Sequence, residues 1–223
     1  LDKCDHVAFI IGTLHGIVAS TIHPIEPDYG YMPVRQLLCS HLRQNKAPVL
    51  DAMKKIADGM CQLAQKFVEL GLDGILYAGL GGERFLFTDE EFAEYIMPFD
   101  KQIMTACLEA GGYNILHMCK TDVNFVRYKS YKGLYTIANW GVYEANLSLT
   151  EGRKIFTDCA IMGGLSNHKG PLTDGTPDEI RAEVKKVVAE IGNRGFILGT
   201  DCTIPTGTPY SNLRIAVDAL EGL

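Results

Sequence analysis

Three residues of this 223-residue chain carry side chains suited to metal chemistry. The stretch "YNILHMCK", Tyr113 to Lys120, runs from apolar Ile115 and Leu116 into His117, Met118 and Cys119. In a strand, residues i and i+2 share a face. The imidazole of His117 and the thiol of Cys119 therefore converge above a strand end, while Met118 turns to the opposite face. Far along the chain, "LGTDCTIP" ends another apolar run on Cys202. One imidazole and two thiolates, with a fourth position open, are the donor set of a catalytic zinc site. Thiolates also select zinc over magnesium or calcium. A plainer reading stays open beside this one. His-x-Cys with a distant Cys is not a zinc-finger spacing, and the same residues read as buried thiols and a hydrogen-bonded rim histidine.

Other chemistry-bearing residues also follow apolar runs. They include His15; Tyr77 and then Glu83; Asn139, Trp140 and Glu144; Asn167 and His168; and Asp201. Glu144 reads as a proton acceptor or labile metal ligand, or as a helix cap. His15, Tyr77, Asn139, Trp140 and His168 read as substrate-facing candidates. Against that, His15 also reads as a structural histidine and Trp140, the single tryptophan, as packing. His168 lies in the glycine-rich loop "GGLSNHKGPLTDG", and such loops either turn the chain or line a pocket. Lys120 reads as a solvated rim charge.

Six short apolar runs must position these residues: Val7–Ile11, Gly74–Tyr77, Asn114–Leu116, Leu134–Ala138, Ala160–Met162 and Phe196–Leu198. Each is continuous rather than alternating, as in parallel strands buried on both faces. Helical patterns separate them. The run 47–71 closes on Gly71, a C′ glycine. The run 88–112 opens with Thr88 and Glu91 at capping-box spacing, and Pro98 is expected to kink it. The run 176–192 opens with Thr176, Pro177 and Glu179. The last helix, 211–223, is expected to be capped by Ser211, and 121–131 is a more polar helical stretch. Strand–helix alternation of this kind builds an α/β domain, either part of a (β/α)8 barrel or a doubly wound sheet. No G-x-G-x-x-G follows the first run, which weakens a dinucleotide fold. Residues 1–223 read as a single domain about two units short of an eight-unit barrel. With a first residue that is not Met, the expectation is that upstream units are absent.

Bulk composition narrows the partners. A 47% hydrophobic content with 22% charge is globular, and the net charge of −6 comes without a basic stripe, so nucleic acid is not an expected partner. No apolar run approaches the ~20 residues of a membrane span, and no signal peptide is expected. Seven cysteines, an odd number in a chain of this size, fit reduced thiols in a cytoplasm.

The C-terminal run "GFILGTDCTIPTGTPYSNLRIAVDAL", the helix "GTPDEIRAEVKKVVAEIG", the segment "FTDEEFAEYIMPFDKQIMTACLEAGGYNILHMCK" and the opening "VAFIIGTLHGIVAS" resemble the uroporphyrinogen decarboxylase superfamily. The likeness covers essentially the whole chain. It implies a (β/α)8 TIM barrel, of which this chain corresponds to strands three to eight. The superfamily includes metal-free decarboxylases and cobamide-dependent methyltransferases that hold zinc through a His-x-Cys pair and a later Cys. His117, Cys119 and Cys202 fall on those positions. The resemblance thus implies zinc-dependent methyl transfer from a methylated corrinoid, carried by a partner corrinoid protein, to a small thiol bound at the metal. Lys120 departs from the glycine usual after the motif cysteine. Metal-free decarboxylation of a porphyrinogen is the alternative, with Arg84 and Arg127 the nearest basic candidates for its carboxylates. A non-catalytic barrel or binding protein is a third reading. Homo-oligomerisation is a further expectation, because a second copy would cover strand edges left open by absent units.

Overall fold

The computed structural model describes residues 7–221; Cys4 and the end of the last helical pattern lie outside them. In chain order the elements are β1 (Ile11–His15), α1 (Ile17–Ile22), α2 (Glu26–Tyr29), α3 (Tyr31–Gln44), α4 (Lys46–Glu69), β2 (Gly74–Gly79), α5 (Asp89–Tyr95), α6 (Met97–Glu109), β3 (Tyr113–Met118), a 3-10 helix (Phe125–Tyr131), β4 (Ile137–Trp140), α7 (Val142–Ala145), α8 (Leu149–Ile155), β5 (Ala160–Leu165), α9 (Pro171–Asp174), α10 (Pro177–Ile191), β6 (Phe196–Thr200) and α11 (Tyr210–Asp218). Six parallel strands alternate with helices, the α/β arrangement expected. The chain divides into two compact units between Thr136 and Ile137.

In the first unit β1, β2 and β3 pair in sequence order. Ile11 stands opposite Gly74, and Gly74 opposite Tyr113. A Cβ at Gly74 would lie 1.9 Å from the Tyr113 carbonyl oxygen, at a φ of +156°, so this close approach of strands requires glycine. Helix α4 packs on α6 and on β1 and β2. It ends as expected at Gly71, with Leu72 N–H donating to Phe67 O and Gly71 N–H to Val68 O. That pair of bonds is the Schellman pattern that satisfies the last carbonyls of a helix. The anticipated helix over 88–112 is two helices. Thr88 and Glu91 form the full capping box of α5, and α6 starts afresh at Met97 with Pro98 in its first turn. Proline lacks the N–H that would have continued α5, so the bend becomes a break.

In the second unit β4, β5 and β6 pair in order, Ile137 with Ala160 and Ile161 with Phe196. Helices α8 and α10 pack on β5, and α10 carries the expected Thr176–Glu179 capping box. Among the described residues no helix is long and apolar enough to cross a membrane.

Two strands are displaced from the apolar runs. The first lies at 11–15 rather than 7–11, because Val7 and Phe9 are exposed and pairing with β2 begins only at Ile11. The fourth lies at 137–140 rather than 134–138. Leu134 N–H closes a turn onto Tyr131 O, and its own carbonyl is taken by the Asn114 side chain. Ser211 is not a cap: α11 begins one residue earlier, after Pro209, without a side-chain cap. The 121–131 stretch forms a 3-10 helix over Phe125–Tyr131.

Candidate metal centre

Strand β3 is apolar through Ile115 and Leu116, and this buries His117 and Met118 at its end. Cys119 follows, also buried, and the backbone then turns through Lys120 at φ +87° and Asp122 at φ +53°. Non-glycine residues seldom adopt such angles, and those that do cluster at functional sites. The parallel register sets His15 beside Ala78 and Ala78 beside His117. Side chains in register on parallel strands point to one side, so His15 and His117 share a face. Two strand spacings, roughly 10 Å, separate their backbones, with Ala78 on the strand between.

In the second unit β6 continues into Asp201 and Cys202. Asp201 N–H bonds Leu165 O, and the Thr200 hydroxyl donates to Cys202 O at 2.8 Å. The Asn139 amide donates to the carbonyls of Met162 and Thr200, tying β4 to the strand end that carries Cys202. Asp201 is buried and accepts from Tyr143 N–H at the start of α7. Burial pushes its carboxyl up to about 6, against backbone N–H groups that favour the charged form. Helix α7 bears Glu144, whose Oε1 lies 2.6 Å from His168 Nε2. This pair can hold or pass a proton.

One donor atom each from His117, Cys119 and Cys202 lies within 4.8 Å of the others. Donors around a tetrahedral zinc stand roughly 3.4–3.8 Å apart, so this nitrogen and two sulfurs fit a zinc ion with small side-chain adjustments. The set is soft and has one nitrogen, which suits zinc and not a hard cation.

The other anticipated residues fall in different settings. Tyr77 is fully buried, accepts from Ile17 N–H and donates to Asp100. Trp140 is fully buried, donates to Leu147 O and packs on Phe156. Both side chains are enclosed in this structure, with no solvent-facing surface. His15 is exposed, with its Nδ1 3.0 Å from His23 Nδ1. Of the arginines, Arg127 is buried and donates to Asp89 and the carbonyls of Gly82 and Phe87; Arg84 pairs with Asp122. Glu83, noted after the second run without a role, is buried and accepts from Gly81 N–H. Desolvation raises its carboxyl. A lone carboxylate in a glycine-rich loop gives no periodic signal of burial.

A family-wide sequence model, uroporphyrinogen decarboxylase (URO-D), matches residues 32–223. Two curated relatives are each 28% identical to the chain. One is a "Methylcobamide:CoM methyltransferase MtbA" of Methanosarcina mazei, aligned over 169 residues, 74% of this chain and 46% of the relative. The other carries the same name in Methanosarcina acetivorans, aligned over 161 residues, 71% and 44%. The chain thus spans less than half the length of these relatives. A solved structure titled "methyltransferase from Methanosarcina mazei" superposes with a TM-score of 0.74 at 20% identity, over 97% of this chain and 60% of that one. At that identity the likeness speaks for the fold.

Proposed function

The chain belongs to the uroporphyrinogen decarboxylase family, and on that premise we propose that it is an enzyme of the family's methyltransferase branch, moving a methyl group from a methylated corrinoid to a thiol. The single observation that carries the reading is the convergence of His117, Cys119 and Cys202 donor atoms within 4.8 Å. The names of the two curated relatives support the same branch. A zinc ion held by these three residues would supply a Lewis acid that binds the acceptor sulfur as thiolate near neutral pH.

The chain's own residues have three tasks in this reading. The hydrogen bonds of Asn139 and Thr200 hold the β6 end that presents Cys202. Asp201 fixes the N-terminus of α7 and with it Glu144. The Glu144–His168 pair accepts the proton that the thiol loses. Electrons balance simply: a sulfur lone pair forms the new carbon–sulfur bond, and the carbon–cobalt pair stays with the corrinoid. A corrinoid protein as donor partner, a small thiol as acceptor and a cytoplasmic setting complete the proposal.

The test is thiol-dependent demethylation of methylcobalamin by zinc-loaded protein, followed by absorbance. Expected is turnover that falls at least tenfold in Cys202→Ala. Turnover equal in wild type and Cys202→Ala would refute the reading.

A further inference from the structure

Arg35 sits on α3 among apolar neighbours, next to Val34 and one turn before Leu38 and Cys39, and is only 1% exposed. Its Nη1 donates to Tyr31 O at 2.9 Å, and its guanidinium lies 3.6 Å above the Tyr31 ring. The nearest ion-pair partner, Glu26 Oε2, stands 3.8 Å from Nη1 and makes no hydrogen bond to it. The opposite edge of the guanidinium, Nε and Nη2, is buried and has no hydrogen-bond partner among the described residues.

Helix α3 itself shows what that edge ordinarily takes. Eight residues on, Arg43 presents the same Nε and Nη2 edge to the two carboxylate oxygens of Glu91, both at 2.7 Å. Arg43 is half exposed and has the bidentate partner; Arg35 is buried and does not. A buried guanidinium with unpaired donors is far more costly than an exposed one, which makes the unpartnered edge of Arg35 a feature in need of an acceptor.

The charges around it are mixed: positive groups outnumber the carboxylates of Glu26 and of buried Glu83, whose charged form both Arg35 and Lys120 favour. Lys120 Nζ lies 5.3 Å from the centroid of the same Tyr31 ring. His15 and His23 face each other across 3.0 Å alongside. Burial first, and then the charges of His15, Arg35 and Lys120 against that of Glu26, hold His23 below its ordinary pKa. A shallow depression lined by His23, Glu26, Pro27 and Tyr31 includes the two residues next to Arg35 Nη1, Glu26 and Tyr31.

We propose that the Nε/Nη2 edge of Arg35 is a binding site for a small oxyanion, either free or at the end of a larger molecule, with the Glu26 carboxylate as its internal competitor. Planar or tetrahedral oxyanions meet this fork bidentately. The site lies wholly in the first unit and does not depend on occupancy of the metal centre.

The test is calorimetric titration of the 223-residue protein with sodium sulfate and with sodium acetate, at ionic strength held constant with chloride. Expected is saturable binding of sulfate, acetate or both, near one per chain. Arg35→Lys keeps the charge but loses the fork, and should weaken binding at least tenfold, the worth of one charge-assisted bond. Glu26→Gln removes the competing charge without touching the fork, and should tighten binding severalfold. Circular dichroism of both variants checks that they fold. No saturable binding by wild type or by Glu26→Gln overturns the proposal, as does equal affinity in wild type and a folded Arg35→Lys.

Discussion

At the scale of single residues, burial decides what each polar group can do. Asp100 accepts from the hydroxyls of Tyr77 and Tyr131, yet it is completely enclosed. Desolvation lifts its carboxyl to about 7 in the folded protein, outweighing those two donors. The unfolded chain has the ordinary value, near 4. Between about pH 4 and 7 the folded state therefore binds more protons than the unfolded state, and stability falls as pH rises through that window. Asp100→Asn should remove this part of the slope. Urea midpoints measured from pH 4 to 8 check it, and an unchanged pH dependence in the variant would contradict the assignment. His117, Cys119 and Cys202 were visible in the sequence as donors at strand ends, with a buried-thiol reading open beside the zinc one, and the family resemblance singled them out as ligands. Arg35 was not legible as a site. Its only signal is a charge on the apolar stripe of α3, and a sequence does not reveal which donors find partners.

At the scale of elements, the sequence announced its stops more clearly than its strands. The capping boxes at Thr88 and Thr176 and the Gly71 terminus are set by local hydrogen bonds and were read directly. Strand positions depend on partners distant in sequence, so the apolar run at Val7–Ile11 misled by four residues. Two glycines in helices test the packing account with opposite signs. A Cβ at Gly152 in α8 would lie 2.1 Å from the Trp140 ring, whereas at Gly59 in α4 it would meet nothing within 4 Å. Gly152→Ala should destabilise by about 1–3 kcal/mol through overpacking. Gly59→Ala should stabilise by about 0.4–1 kcal/mol through reduced freedom of the unfolded chain. Denaturant unfolding of the two variants checks both, and equal signs would contradict the close approach of Gly152 to the Trp140 ring.

At the scale of the whole molecule, the alternation of apolar runs and helical patterns sufficed for the α/β class, and the quoted motifs sufficed for the family. Strand spacing sufficed to group His117 with Cys119; it gave no reason to add Cys202, since 83 positions separate the two cysteines. The central claim is that these three residues hold one zinc ion. The most direct measurement is zinc per chain after exhaustive dialysis. It compares wild type with His117→Ala, Cys119→Ala and Cys202→Ala, and with Cys61→Ala and the volume-conserving Met118→Leu as controls. The account predicts about one zinc per chain in wild type and both controls and almost none in the three ligand variants, because two remaining protein ligands hold zinc poorly against water. Retention in wild type should weaken as pH falls, since the ligands must shed their protons to bind. Cys119→Ala retaining as much zinc as wild type would contradict it.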